Sequence, residues 1–190
     1  MNGPVEQIVS YKEWVSVCDA LGAGRQHLLL RKGGIHEGRE GFSFKHESFV
    51  LFPTRFHAQA EQIRVPCEEG AEAGEWQVGD LVTIRYSCQA IWAKTLTDWE
   101  QVCRLEPYHV WSESLVRERF DCGEVQQIHC ALVRVSALPV AVQLPYEKKY
   151  GGCRTWVDLP WDGERIGAPV LSDEAFAEVR AEIEAIAGAF

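Results

Sequence analysis

Residues 128–144 read Ile128-His-Cys-Ala-Leu-Val-Arg-Val-Ser-Ala-Leu138, then, across Pro139, Val140-Ala-Val-Gln-Leu144. Branched apolar side chains suit a pleated, packed surface, so Ile128–Leu138 is predicted to be a long strand. Pro139 has no N–H for a ladder, so Val140–Leu144 is expected to follow as an edge or bent strand. Upstream, Gly79-Asp80 makes a turn before Leu81-Val-Thr-Ile-Arg-Tyr86, in which Val82, Ile84 and Tyr86 alternate with smaller or polar residues. Ala90-Ile-Trp-Ala93 extends that strand. Earlier still, His27–Arg31 is a short apolar run stopped by Gly33-Gly34, and Phe49–Pro53 is another closed by proline. With the Gly-rich stretch between them, these two are expected to form a hairpin-like pair.

Helices surround these strands. Trp14, Val17, Cys18 and Leu21 recur at helical spacing, predicting a helix from Val9 to Leu21 that Gly22 ends in a left-handed conformation. Thr97-Asp-Trp-Glu100 has the form of a capping box opening a helix to about Leu105, with Pro107 as its stop. Ser112 is the next candidate cap, followed by a buried stripe of Leu115, Val116 and Phe120 before Gly123. Ser172 caps an amphipathic helix over 172–187 with Phe176, Val179, Ile183 and Ile186 on its apolar face and acids outside. Thr54–Arg64 is expected to hold a short helix, and residues 67–75 an acidic surface loop. Strands and helices do not alternate and no repeat of 20–50 residues is present, so the reading is α+β. A small mixed or antiparallel sheet with flanking helices is expected, a partly closed barrel being one form of it.

At 190 residues, 46% of them hydrophobic, the chain is sized for a single globular domain over 1–190. Such a chain buries roughly 70% of its unfolded surface without metal or disulfide staples, so no cofactor is expected. A net charge of −9 excludes phosphate-tracking over the whole surface, because that binding depends on Lys and Arg displacing counterions. Any nucleic-acid site must be local. The seven cysteines form no C-x-x-C pair, and neither a secretory leader nor an apolar run of about 20 residues is seen, so a cytoplasmic chain with no membrane association is expected.

Positive charge concentrates between Arg25 and His57, with six Lys or Arg against three Glu, while Ala58 to Asp80 holds one Arg against six acids. Arg31, Lys32, Arg39, Lys45 and Arg55, with His36, His46 and His57 among them, would form an anion-binding surface if the backbone brings them to one side; solvated charges paired with the acidic stretch are the alternative. Gly33-Gly34 would let backbone N–H groups approach a phosphate, or simply turn the chain. Tyr108-His109-Val110-Trp111 offers an aromatic face for stacking a base, though packing is the commoner use of such residues. Lys148 and Lys149 precede Tyr150-Gly-Gly-Cys-Arg-Thr-Trp156, which supplies a second candidate wall with Arg154 and Trp156. A thiolate at Cys153 would need a base such as His46, His57 or His109; otherwise it is a small buried thiol beside a turn. His129-Cys130 puts neighbours on opposite faces of a strand, and no metal site is expected.

Tyr11-Lys-Glu-Trp14, Leu28-Leu-Leu-Arg-Lys-Gly-Gly-Ile35, Phe49-Val-Leu-Phe-Pro-Thr54 with His57, Tyr108-His-Val-Trp111, Leu144-Pro-Tyr with Tyr150–Trp156, and Pro169-Val-Leu-Ser-Asp173 together resemble a bacterial family known as domain of unknown function 1802. The resemblance spans nearly the whole chain and brings no activity. Association of some members with restriction-endonuclease-like domains implies a nucleic-acid context. Gly79-Asp80 before Val82-Thr-Ile-Arg85 also resembles the PUA-like pseudobarrels that bind RNA and modified bases. Three readings follow. The first is a non-catalytic domain binding nucleic acid or a nucleotide through Arg31, Lys32, Arg55 and Arg154, with Trp111 or Trp156 stacking. The second is a cysteine-dependent or nuclease-like enzyme. The third is a protein-interaction module using the acidic last helix or the 67–75 loop. Oligomeric state stays open.

Overall fold

A computed structural model describes residues 6–32, 44–55, 60–64, 74–165 and 167–188. Seven strands make one mixed sheet: β1 Gln7–Trp14, β2 Leu28–Arg31, β3 Ser48–Thr54, β4 Leu81–Leu96, β5 Ile128–Pro145, β6 Trp156–Pro160 and β7 Ala168–Pro169. Four helices flank it: α1 Val15–Gly22, α2 Trp99–Arg104, α3 Glu113–Asp121 and α4 Asp173–Ala187. The fold is α+β, as the strand pattern predicts, and the sheet is not closed. Its order is β2-β5-β4-β3-β1-β6, with β7 added to β5.

The decisive stretch is one strand. β5 runs antiparallel to β4 from Leu96↔Ile128 to Leu81↔Pro145. Between Ile84↔Val142 and Tyr86↔Ala137, β4 advances two residues while β5 advances five, so three extra β5 residues are accommodated around Pro139. That irregularity puts the proline where no ladder donor is required and bends the strand without ending it. It also separates two cores. Cys130, Leu132 and Val135 pack with the helices, while Leu138 and Leu144 pack with Val50, Phe52, Val82, Ile84 and Tyr150 on the other side.

Several expectations need correction. The predicted N-terminal helix is strand β1 up to Trp14, and the helix begins at Val15. β1 is hydrogen-bonded on both sides, parallel to β3 and antiparallel to β6, and Ser10, Lys12 and Glu13 are buried with their apolar neighbours. Burial of both faces removes the polar–apolar alternation that would have marked a strand. Gly24, not Gly22, adopts the left-handed conformation, with φ 67°. β2 and β3 form no hairpin, because β2 pairs with β5 and β3 lies between β1 and β4.

Helix ends follow local chemistry. Asp98 rather than Thr97 caps α2, accepting from the Glu100 N–H at 2.9 Å. Ser112 accepts from Leu115 N at 3.3 Å and Ser172 from Ala175 N at 3.2 Å, as expected for α3 and α4. Of the helix expected within 54–64, a single 3-10 turn at Ala60–Gln62 is described. The acidic loop of 67–75 lies outside the described residues except for exposed Gly74 and Glu75. No helix among the described residues is long and apolar enough to cross a membrane.

Candidate functional site

β1 and β2 sit far apart in the ladder order, yet Arg31 on β2 reaches β1: its Nη2 donates to Lys12 O, and its Nε donates to the Tyr11 hydroxyl at 2.8 Å. The sheet therefore curls enough to bring its end strand β2 near β1, and side chains rather than a backbone ladder bridge this seam. Arg31 also lies over the Tyr11 ring at 5.0 Å. From α3, Arg119 Nη1 donates to Leu30 O at 3.1 Å, with its guanidinium near the Trp111 ring at 4.9 Å and the Trp14 ring at 5.4 Å. Lys12, only 8% exposed, donates to Gly152 O at 2.8 Å and so ties β1 to the segment before β6.

The seam is electropositive. Burial, then the nearby Arg31 and Arg154 charges, push the Lys12 ammonium below the ordinary lysine range, with Cys153 opposing. Burial pushes Arg119 down to about 10, Glu13 opposing and Arg31 adding to the fall, so it stays charged at neutral pH. Tyr11 is fully buried and its phenol is raised by burial, with Arg31 opposing. Glu13 is 1% exposed; its Oε1 accepts from Trp14 N at 2.8 Å, and its Oε2 is sealed without a partner.

Beside the cations stands an aromatic group. Trp156, half-buried on β6, meets Tyr11, Phe49 and His46 edge-on with centroids 5.0, 5.1 and 4.8 Å apart. Phe44 stacks on Tyr11 at 5.9 Å.

Of the residues singled out in the sequence, Arg31, His46, Arg154 and Trp156 gather at this seam, and exposed Lys32 directly follows Arg31. Gly33, Gly34 and His57, with His36 and Arg39, lie outside the described residues. Arg55 is elsewhere, stacked over Trp76 at 3.6 Å against the second core. His109 and Trp111 are 3% and 0% exposed, so neither presents a face for stacking. Their segment is held by Arg64, which donates to the carbonyls of Trp111, Glu106 and His109, and by Gln26, which accepts from Val110 N. Cys153 is exposed, against the expectation of a buried thiol, and makes no hydrogen bond to a described histidine.

Lys12, Glu13 and Arg119, which the structure places at this seam, were not singled out in the sequence. Arg119 carries a readable signal: it falls four residues after Leu115 and three after Val116, placing a charge on the buried stripe of α3. His129 is bonded to Thr95 at 2.9 Å while Cys130 is sealed on the opposite face, and no group of metal ligands is found among the described residues.

The model of the family described as Domain of unknown function (DUF1802) matches residues 10–182. The chain belongs to this family. No curated protein matches the sequence. Among solved structures, this DUF1802 chain is similar to the ASCH protein from Zymomonas mobilis, with a TM-score of 0.41 at 10% identity, and to a substituted form of it, with 0.42 at 11%. In both cases 66% of this chain and 66% of the other are covered.

Proposed function

We propose that this chain is a non-catalytic binding domain for an anionic ligand of the nucleic-acid class, held at the β1–β2 seam. The observation that supports this reading is the convergence of Lys12, Arg31, Arg119 and Arg154 from β1, β2, α3 and the 151–155 segment in a chain of net charge −9. Like charges held together in partly buried positions repel one another, and a bound anion relieves that repulsion. The chain's net negative charge disfavours polyanion binding away from a local basic site. Trp156 and its aromatic neighbours add a stacking wall beside the cations, the pairing that single-stranded nucleic-acid sites use.

The test is binding of labelled single- and double-stranded DNA and RNA at two salt concentrations, for the wild type and Lys32→Gln/Arg154→Gln. Both residues are exposed, so the double variant leaves the fold intact. The expected result is weaker binding and a salt slope lowered by about 2, roughly one per lost phosphate contact. Unchanged affinity and slope would overturn the reading.

A further inference from the structure

β2 and β6 end the sheet path, and their outward edges differ. Residues of an antiparallel pair alternate between those that exchange both backbone hydrogen bonds with the partner and those whose N–H and C=O point away from it. On β2, Val133 N–H donates to His27 O at 3.0 Å, which sets the alternation so that Leu28 and Leu30 face outward. Side chains take both of their carbonyls: Gln26 Nε2 donates to Leu28 O at 2.7 Å and Arg119 Nη1 to Leu30 O at 3.1 Å. On β6, Lys12 N–H donates to Thr155 O and Trp161 N–H to Glu6 O, both at 2.8 Å, at the two ends of a register without shifts. Trp156, Asp158 and Pro160 therefore face outward. Among the described residues no hydrogen bond reaches their backbone from that side. Asp158, Pro160 and the preceding Arg154 are exposed.

Open strand edges are usually blunted by lysine, bulges or proline, and here only Pro160, at the far end, does so. The edge is also complementary to itself. Arg154 stands two residues before Trp156 and Asp158 two residues after it. A twofold axis at Trp156 sets this residue opposite its mate and sets Arg154 opposite Asp158 of the second copy, twice over. An axis at Val157 would leave Arg154 opposite Pro160. An axis at Asp158 would face two carboxylates and put Pro160, which has no N–H, opposite Trp156. Charge thus selects the first register, and self-complementarity selects a second copy over an unrelated extended segment. We propose that the outer edge of β6 is the interface of a twofold dimer, in which two copies of this chain pair β6 antiparallel and continue one sheet into the next. Each copy brings its Asp158 beside the other's Arg154, and the aromatic groups around the two Trp156 rings lie side by side. The dimer forms without ligand and stands independently of the anion-binding reading.

The experiment is sedimentation equilibrium of the full chain over a concentration series, at about 0.15 M salt and without nucleic acid. It uses wild type, Arg154→Asp, Asp158→Arg, the double variant, and an equimolar mixture of the two single variants. Both residues are exposed, and circular dichroism confirms that each variant is folded. The wild type should pass from the mass of one chain to that of two as concentration rises, with slowed amide hydrogen exchange at Trp156 and Asp158. Each single reversal should weaken the dimer about 10-fold or more, because like charges then face each other at both pairs. The double variant and the mixture should recover it, since opposite charges meet again across the axis. A wild type that keeps the mass of one chain at every concentration would overturn the proposal; fast exchange at the two amides would then leave the edge open to a different partner, and slow exchange would assign it to another part of the same chain. A dimer that both reversals leave unchanged would place the interface elsewhere, and weakening without recovery in the mixture would overturn the register.

Discussion

His109 provides a direct measure of how the buried segment between α2 and α3 contributes to stability. Burial, reinforced by the positive charges of Arg64 and Arg119, pushes its imidazole down to about 3. In the unfolded chain the same group titrates near 6.5. Between those values the unfolded state binds the extra proton, so stability is fully present above about pH 6.5 and declines as the pH falls toward 3. Integrating that difference gives a loss of about 2 kcal/mol between pH 7 and pH 5. His109→Gln removes the titration and keeps a polar side chain of similar reach. The assay is urea unfolding followed by tryptophan fluorescence at pH 7, 6 and 5 for both proteins. Although His27 is also lowered by burial, its contribution is common to both proteins and cancels in the comparison. The wild type should lose about 2 kcal/mol more than the variant over this range. Parallel losses would show that His109 is not held neutral by its surroundings.

Two further substitutions test the scaffold around the seam. Arg64→Met removes three donors to the carbonyls of Glu106, His109 and Trp111, and because Arg64 is about one-third exposed the expected cost is about 2 kcal/mol in urea unfolding. The same variant should flatten the acid-side loss, since one of the charges that keep His109 neutral is gone. Gly167→Ala places a methyl group against the Ala137 carbonyl where β7 meets β5, and should cost about 1–3 kcal/mol. Gly74→Ala, with open space around it, is the control expected to stay within about 0.5 kcal/mol of wild type.

What the residues disclose depends on how local the determining interaction is. Ser112 and Ser172 announce α3 and α4 because a cap bonds a backbone N–H three residues away. The branched run from Ile128 announces β5 for the same reason, since strand preference resides in the side chains themselves. β1 is concealed because its pattern is set by β3 and β6, and the helical spacing that starts at Trp14 extends misleadingly backward through it. β2 and β3 read as a hairpin because they are near in sequence, but the partner of β2 is β5, with Leu28 opposite Leu132. The site divides in the same way. Arg31, Lys32 and Arg154 were legible as basic residues in or near Gly-containing segments, whereas Lys12 acquires its position from Gly152 and Arg119 from Leu30. Trp111 and His109 were legible as chemistry but not as interior, because Gln26 and Arg64, which hold their segment inside, come from far earlier in the chain.

The binding proposed at the seam bears on the integrity of the sheet. No backbone ladder joins β1 to β2; Arg31 spans them through Tyr11 and Lys12, and Arg119 fastens β2 from behind through Leu30. These contacts bring together charges that repel, which is why the neighbouring arginines act to lower the Lys12 ammonium. Closure in the free chain thus works against its own electrostatics, and an anion lying between the cations removes the opposition without requiring the strands to move. A ligand that binds only the folded chain stabilises it by RT ln(1 + [L]/Kd), about 2.7 kcal/mol at a hundredfold excess over Kd. The part of that gain due to relieved repulsion belongs to the seam, so local opening between β1 and β2 should be suppressed more than opening between β4 and β5, whose continuous ladder already holds them together.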